Sequence, residues 1–288
     1  MAINTNQLSK IPKLTFQAYK ESESQAHPGC YQLDLAYLTL DSLYYLIERG
    51  HYSQLDLAFT KLSKSDMLGL LENMPVFDER IIIRLINLVG LSLVRNKKEL
   101  FQSSIVNGSV KSVQLLNQEI TTSDLILSIK YGNLEMFDYL LAKSEPSVEL
   151  LLHATDLNKI QIVERLLPLV DPSFDSDLAL RIACKKGYFD ITKLLVSDSR
   201  VNIHSQANYA LCWAARKGHL AIVKLLVEKG ADPSDNDNFS LKHSCRNGHY
   251  EIVKLLLQDS RVDKHADNDY AIAWAQEKGF EQIVQLLL

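Results

Sequence analysis

Four segments decide the fold: ACKKGYFDITKLLV (183–196), AARKGHLAIVKLLV (214–227), SCRNGHYEIVKLLL (244–257) and AQEKGFEQIVQLLL (275–288). Their glycines are 31, 30 and 31 residues apart, so one unit recurs four times. Upstream, Gly108, Gly132 and Asn158 hold the same turn slot, and the spacings there are 24, 26 and 29 residues. The chain is therefore built on an internal repeat that shortens towards its N-terminus.

A small residue stands four positions before every turn slot: Ser104, Ser128, Ala154, Ala183, Ala214, Ser244 and Ala275. A helix that lies close to neighbours on both sides has no room for a longer side chain there. After the slot, runs such as IVKLLV (222–227) have the apolar spacing of a second helix. Glycine suits the left-handed turn between the two helices. Each unit is predicted to be helix, turn, helix and connector, and only stacked units bury the apolar faces.

These residues resemble the ankyrin repeat family in the pattern A-x-x-x-G-H/Y-x-x-I-V-K-L-L-V and in KGADPS (229–234). The T-P-L-H opening of that family is replaced, for example by Tyr-Ala-Leu-Cys at 209–212. The resemblance implies an all-α, ankyrin-type α-solenoid of stacked helix-turn-helix repeats with short β-finger or loop connectors. Because Asp and Asn favour helix N-caps, we predict that the residues ten before each glycine cap the first helices: Asp177, Asn208, Asn238 and Asp269.

The chain is divided into three parts. Residues 1–30 are predicted to be a polar tail and linker, and residues 31–95 a helical N-terminal cap or degenerate repeats. Residues 96–288 hold about seven ankyrin repeats: 96–119, 120–146, 147–173, 174–204, 205–234, 235–266 and 267–288. The alternative for 31–95 is a separate small helical domain with its own activity.

Predicted helices in the N-terminal part span 33–49, 53–62, 66–73 and 78–95, with Asp78 as the cap of the last one. At the other end the sequence stops in the apolar run QIVQLLL (282–288). Because a terminal repeat should present a polar outer face, we expect either a truncated chain or a further segment after it.

Charge and composition exclude several classes of function. Lys and Arg total 31 against 35 Asp and Glu, a net charge of −4, which argues against binding nucleic acid or an anionic membrane. The first 30 residues contain no secretory signal, and no segment is apolar over the roughly 20 residues that span a bilayer. Four cysteines do not make a disulfide scaffold. We expect a monomer in the cytoplasm, or in a host cytoplasm if the protein is a secreted effector.

Nothing in the sequence indicates catalysis, a cofactor or a metal ion. We interpret Cys184, Cys212 and Cys245 as buried core thiols, since no C-x-x-C or His/Cys cluster exists. The residue types of a nucleophile, a base and an orienting acid occur in the N-terminal part at a spacing of no known family: Cys30, His51 and Asp56. The chain is therefore predicted to be non-enzymatic, with residues 1–95 left open.

Two pairs of ring residues repeat with the units. His219 and His249 follow turn glycines, and in the resembled family this histidine hydrogen-bonds neighbouring loop backbone. Trp213 and Trp274 occupy one repeat position, and we interpret them as packing between units, with an aromatic cage as the alternative.

Two rows of residues are the functional candidates. A basic row precedes the turns: Lys130, Lys185, Lys186, Arg216, Lys217, Arg246 and Lys278. A polar and acidic row lies at the predicted finger tips: Asp175, Ser176, Gln206, Ala207, Asn236, Asp237, Asp267 and Asn268. In an ankyrin-like stack the rows would face each other across a concave groove. The helix dipole alone accounts for part of the basic row, because it favours Lys and Arg in a last turn.

The resemblance implies a non-enzymatic protein–protein interaction module that binds a partner protein through its concave face. The repeat sequences are similar to those of arrays in amoeba-associated viruses, protists and intracellular bacteria. This similarity implies an adaptor or effector that acts on a host protein. One alternative is a targeting module of a larger enzyme whose activity lies in 1–95 or beyond Leu288. Another is a structural spacer or homo-oligomer scaffold.

Overall fold

The computed structural model describes residues 55, 58–60, 62–73, 79–94 and 97–288. Over these ranges the chain forms helices joined by turns and no β-strand, so the connectors take the loop form. In the same ranges no helix is long and apolar enough to cross a bilayer. The tail 1–30, the predicted helix 33–49 and the triad of Cys30, His51 and Asp56 lie outside the described residues.

The chain forms two compact units. The first contains the described residues up to Ser103 and also Gln114–Leu116, and the second contains Ser104–Val113 and Asn117–Leu288. In the first unit two helices pack together and a 3₁₀ turn follows them: α1 (Lys64–Asn73), α2 (Glu79–Val89) and the turn Leu91–Leu93.

Helix α1 begins two residues earlier than predicted, because Ser63 caps it. The Ser63 hydroxyl donates to the Asp66 carboxylate (2.6 Å), and the Asp66 N–H donates to Ser63 Oγ (3.2 Å). Helix α2 ends at Val89 instead of residue 95 because Gly90 adopts a φ of 92°, which leaves the helical region. Local capping and one glycine thus account for both differences.

The following helices come in pairs: α3 (Lys97–Val106), α4 (Val110–Leu116), α5 (Thr122–Tyr131), α6 (Leu134–Leu141), α7 (Val148–Asp156), α8 (Ile160–Leu166), α9 (Phe174–Lys186), α10 (Phe189–Leu195), α11 (Ser205–Lys217), α12 (Leu220–Glu228), α13 (Asp235–Arg246), α14 (Tyr250–Leu256), α15 (Ala266–Glu277) and α16 (Glu281–Leu287). From α5 onwards, each first helix packs on its own second helix and on the first helices of adjacent pairs. Second helices from α8 onwards also contact one another. The second unit is therefore a two-layer stack.

Close packing of the first helices depends on the repeated small residue, as predicted. All seven side chains are 0 % exposed: Ser104, Ser128, Ala154, Ala183, Ala214, Ser244 and Ala275. The hydroxyls of Ser128 and Ser244 are satisfied by their own helices, as when Ser244 Oγ donates to the Ser240 carbonyl (2.7 Å). Any longer side chain at this position would push adjacent first helices apart.

A left-handed turn precedes the late first helices, and the sequence did not predict it. Three successive residues have φ between 47° and 61° in each of α9, α11, α13 and α15: 175–177, 206–208, 236–238 and 267–269. Left-handed backbone costs about 1–2 kcal/mol for most residues, and Asn and Asp tolerate it best. The abundance of Asp and Asn here therefore follows from the turn.

The predicted N-caps are wrong, because all four residues have left-handed backbone and three of their side chains bond to the next unit. Asp177 accepts a hydrogen bond from the Asn202 N–H (2.9 Å), and Asn208 accepts one from the Asp232 N–H (3.1 Å). Asn238 repeats the contact with the N–H of residue 263 (2.9 Å). An N-cap has extended backbone and accepts from its own helix. These buried side chains instead link one connector to the next.

Two arginines tie late connectors to the unit before them. The Arg200 guanidinium forms a bidentate ion pair with the Asp198 carboxylate (2.6 Å) and donates to the Leu167 carbonyl of the preceding unit (2.7 Å). Arg261 forms the same bidentate ion pair with Asp259. The hydrogen bonds from Arg200 hold the pKa of Asp198 below its usual value. The ion pair of Asp198 and Arg200 thus links this connector to the preceding unit.

Candidate functional site

Three cations of the predicted basic row form the core of the candidate site. Lys185, Arg216 and Arg246 each lie two residues before a turn glycine, in three successive first helices. Within the part of the chain that the structure describes, they form no ion pair with an acidic side chain. They lie over tryptophan rings instead. We call this set the cation strip.

Each tryptophan joins the strip to a neighbouring unit. Lys185 Nζ lies 4.7 Å from the Trp213 ring centroid, and Arg216 Cζ lies 4.8 Å from the same centroid. Arg246 Cζ lies 4.8 Å from the centroid of Trp274. Because Lys185 and Arg246 belong to the preceding unit in each case, the tryptophans pack between units. Both rings are only partly buried, and cation–π attraction of about 0.5–1 kcal/mol orients the cations across them.

Other members of the basic row lie in different surroundings. Lys186 forms an ion pair with Asp156 of the preceding unit (2.6 Å), and Lys278 pairs with its neighbour Glu277 (3.1 Å). Lys130 lies over the ring of the adjacent residue, 5.8 Å from its centroid, and Lys217 is exposed. The structure therefore distinguishes the ion-paired cations from the cation strip, and the sequence alone did not show this difference.

All residues of the predicted finger-tip row belong to the left-handed turns and are exposed: Asp175, Ser176, Gln206, Ala207, Asn236, Asp237, Asp267 and Asn268. Two cations of the first helices hold part of this row. Arg181 bonds to the Asp175 carboxylate (3.4 Å) and to Gln206 Oε1 (3.1 Å). Lys242 Nζ pairs with the Asp267 carboxylate (2.9 Å). The tips are thus partly neutralised by the helices behind them.

Sequence reasoning missed Arg181 and Lys242. Both stand six residues before a turn glycine, and their side chains are mostly buried, at 15 % and 12 % exposed. That shared position in alternate units was the available signal. Each joins a finger tip to a first helix, so these two cations position the tips and are not free for a partner.

His243 lies in the middle of the cation strip, and it too was missed. Its ring stacks on Phe239, with centroids 3.9 Å apart. Partial burial, and then the charges of Arg216, Arg246 and Lys242, lower the pKa of His243 to about 4. The ring is therefore neutral at pH 7, and the nearby cations add to the effect of burial on its pKa.

The turn histidines have the structural role that the resemblance implied. His219 Nε2 lies 3.2 Å from the Lys185 carbonyl, and His249 Nε2 lies 3.1 Å from the Arg216 carbonyl, both in the preceding unit. The ring of His249 also covers Gly218, where a Cβ would come within 2.6 Å of it and φ is 83°. Glycine is therefore required at that turn. These contacts fix the last turns that carry the cation strip.

The three described cysteines are buried core thiols, as predicted. Burial raises the pKa of Cys184 and of Cys245 to about 12, and that of Cys212 to about 11. A buried thiol with such a pKa is protonated at neutral pH and is therefore a poor nucleophile. No cluster of metal-ligating side chains occurs among the described residues either.

The paired helices and the turn chemistry agree with a family comparison. The profile described as Ankyrin repeats (3 copies) matches residues 150–237 and 211–288. Residues 150–288 therefore belong to the ankyrin repeat family. The ankyrin repeat domain of human ASB11 shares the fold, with a TM-score of 0.56 and 18% sequence identity over 65% of this chain and 97% of that domain.

Curated proteins also resemble these ankyrin repeats over short stretches. Ankyrin repeat and KH domain-containing protein mask-1 of Caenorhabditis elegans is 33% identical over 123 residues, which is 39% of this chain and 5% of that protein. Putative ankyrin repeat protein L715 of Acanthamoeba polyphaga mimivirus is 41% identical over 64 residues, 22% of this chain and 23% of that protein. The chain therefore matches less than a quarter of either relative. Ankyrin repeats generally mediate protein–protein interactions, and this chain carries such a module.

Proposed function

We propose that the chain is a non-enzymatic interaction module that binds a partner protein through the first-helix face of its ankyrin repeats, the concave side of the array. The single observation that carries this proposal is the cation strip. Lys185, Arg216 and Arg246 have no acidic partner within the described residues, so binding an acidic surface breaks no existing ion pair. Charge complementarity of this kind favours specificity and fast association.

The surroundings of the strip support the same proposal. Trp213 and Trp274 are partly buried beside it, and tryptophan and arginine are enriched among residues that dominate binding energy. Histidine–carbonyl contacts hold the backbone of Lys185 and Arg216 in place. Little conformational entropy is then lost when a partner binds.

The test compares two charge-reversed variants. The face variant is Lys185→Glu, Arg216→Glu and Arg246→Glu together. Its matched control reverses one exposed lysine on the second helix of each of the same units: Lys193→Glu, Lys224→Glu and Lys254→Glu. Both variants change the net charge by the same amount, so they differ only in the face that is altered. Circular dichroism and thermal unfolding confirm that each variant is folded.

The wild-type chain and both variants serve as bait in quantitative affinity capture. We expect at least one protein to be retained by the wild type and the control and to fall about tenfold or more with the face variant, the equivalent of 1.4 kcal/mol. Equal recovery with all three baits would contradict binding through the first-helix face.

We also propose that the chain is a monomeric adaptor or effector that meets a host protein in the cytoplasm. The similarity to an ankyrin repeat protein of an amoeba-infecting virus supports this, although it covers only 22% of the chain. Light scattering should give a mass near 32.6 kDa, and a mass of twice that value would contradict a monomer. In transfected amoebae the tagged chain should lie in the cytoplasm, and confinement to another compartment would contradict this location.

A further inference from the structure

The cation strip has a regular spacing along the stack. Its three members occupy one position in successive first helices, and packed helices lie about 8–10 Å apart. A polyproline II segment rises about 3.1 Å per residue with three residues per turn, so every third side chain lies on one side about 9 Å from the last. In a β-strand, same-side residues are about 6.6 or 13 Å apart. The spacing of the strip therefore matches polyproline II.

The tryptophans extend this match. Trp213 and Trp274 stand in alternate units, about 16–20 Å apart by the same helix spacing, which is close to six residues of polyproline II. Each has a tyrosine edge against it, with centroids 5.8 Å apart for Tyr209 and 4.4 Å apart for Tyr270. Aromatic surfaces bind proline rings in other polyproline II sites, because that helix is preformed and loses little entropy.

Charge limits the length of the segment. The position equivalent to the strip is acidic in the units on either side, with Asp156 before it and Glu277 after it. Other acids beside the strip are already occupied, since Asp175 pairs with Arg181 and Asp267 pairs with Lys242. Three unit positions are therefore cationic, whereas the flanking ones carry acids that are already paired with Lys186 and Lys278 and offer no counter-charge to a carboxylate. A partner segment that fits this pattern carries three acidic residues.

We infer that the first-helix face of residues 174–288 binds an acidic, proline-rich segment of a partner protein in the polyproline II conformation, with carboxylates at every third residue over three turns. This inference rests on the proposed function and names the chemistry of the partner. The strip supplies the three counter-charges, and the two tryptophans, whose rings lie under these cations, hold the counter-charges at that spacing.

Two synthetic peptides of identical composition test the spacing. The first is PPEPPEPPEPP, capped at both ends, with glutamates at every third residue. The second is PPEPEPEPPPP, with the same three glutamates at every second residue. The two tryptophans of the chain both lie on this face, so their fluorescence reports binding without a label. The full chain is titrated with each peptide at low salt.

The first peptide is expected to bind about tenfold more tightly than the second, to lose about tenfold or more in affinity with the face variant, and to bind the control variant like the wild type. Equal affinity for both peptides, no binding of either, or unchanged binding by the face variant would overturn the inference. So would tighter binding of a ten-nucleotide oligouridylate, which would assign the face to single-stranded nucleic acid.

Failure of this inference is distinguishable from failure of the proposed function. If neither peptide binds but the face variant still loses a captured protein, the interaction module stands and its partner has another chemistry. If the face variant loses no captured protein, the proposed function falls whatever the peptides do.

Discussion

The repeats at 120–173 and those at 174–288 share one helix pair but differ in how the pairs are connected. Ser128 and Ala154 in the early units are as fully buried as Ala183 and Ala214 in the late ones. The early connectors run directly into their first helices, whereas the late connectors add a left-handed turn, and in three of these turns an Asp or Asn side chain bonds to the following unit. Packing therefore fixes the helices, and the connectors vary around them.

The same comparison separates the two regions by charge. Two residues before the turn slot, the early units have Lys130 and Asp156, while the first three late units have the cation strip. Among the described repeats, three successive cations at this position occur only where the units are also linked by connector bonds. Under the function proposed above, we therefore expect a partner that needs several charges at fixed spacing to bind the late units.

The largest effect is expected where the two regions are alike. Ala214→Leu in a late unit and Ala154→Leu in an early one should each lower the free energy of unfolding by about 3 kcal/mol, because neither fully buried site can hold the added atoms. Urea unfolding measures both. Ala221→Leu, on an exposed second-helix position, should change stability by less than about 0.5 kcal/mol. A neutral effect in either region would break the shared packing rule.

A smaller effect is expected where the regions differ. Asn208→Ala removes the acceptor for the Asp232 N–H, whereas Asp269→Ala alters the same left-handed position in a unit with no following connector bond. Both substitutions carry the same conformational cost of alanine at positive φ. The first should therefore destabilise the protein by about 1 kcal/mol more, the cost of leaving a partly buried donor unsatisfied. Equal losses in urea unfolding would show that the connector bond contributes nothing.

The smallest effect concerns pH and the late units alone. Because the folded pKa of His243 is lowered to about 4 from 6.5, the unfolded chain takes up the proton first. The contribution of neutral His243 to the free energy of unfolding is therefore present above pH 6.5 and is lost as the pH falls towards 4. After screening by solvent around a partly exposed ring, the loss should be about 1 kcal/mol. His243→Gln should remove it, and an identical pH profile of stability in both proteins would contradict the lowered pKa of His243.

The sequence predicted those features that lie within one unit. The turn glycines and the small residues four positions before them are local patterns, and each is compatible with only one structural role in a helix pair. Asp177 is compatible with two roles, because Asp suits both an N-cap and a left-handed turn. Its hydrogen-bond partner lies 25 residues later in the chain. No pattern within one unit distinguishes these outcomes.

The ion pair of Lys186 could not be predicted from the sequence, again because its partner belongs to a different unit. Lys185 and Lys186 are adjacent letters, but one residue of helix turns the side chain by about 100°. Only Lys186 then reaches Asp156 of the preceding unit, at 2.6 Å, and Lys185 lies over Trp213. The candidate rows were predicted from sequence, whereas the division into paired residues and the cation strip required the stack.

Hydrogen exchange of the chain alone and in complex with its captured partner tests most directly that binding uses the first helices of the late units. We expect slower amide exchange on binding in α9, α11 and α13, with α10, α12 and α14 unchanged. Protection confined to those second helices, or to residues 120–173, would contradict the account.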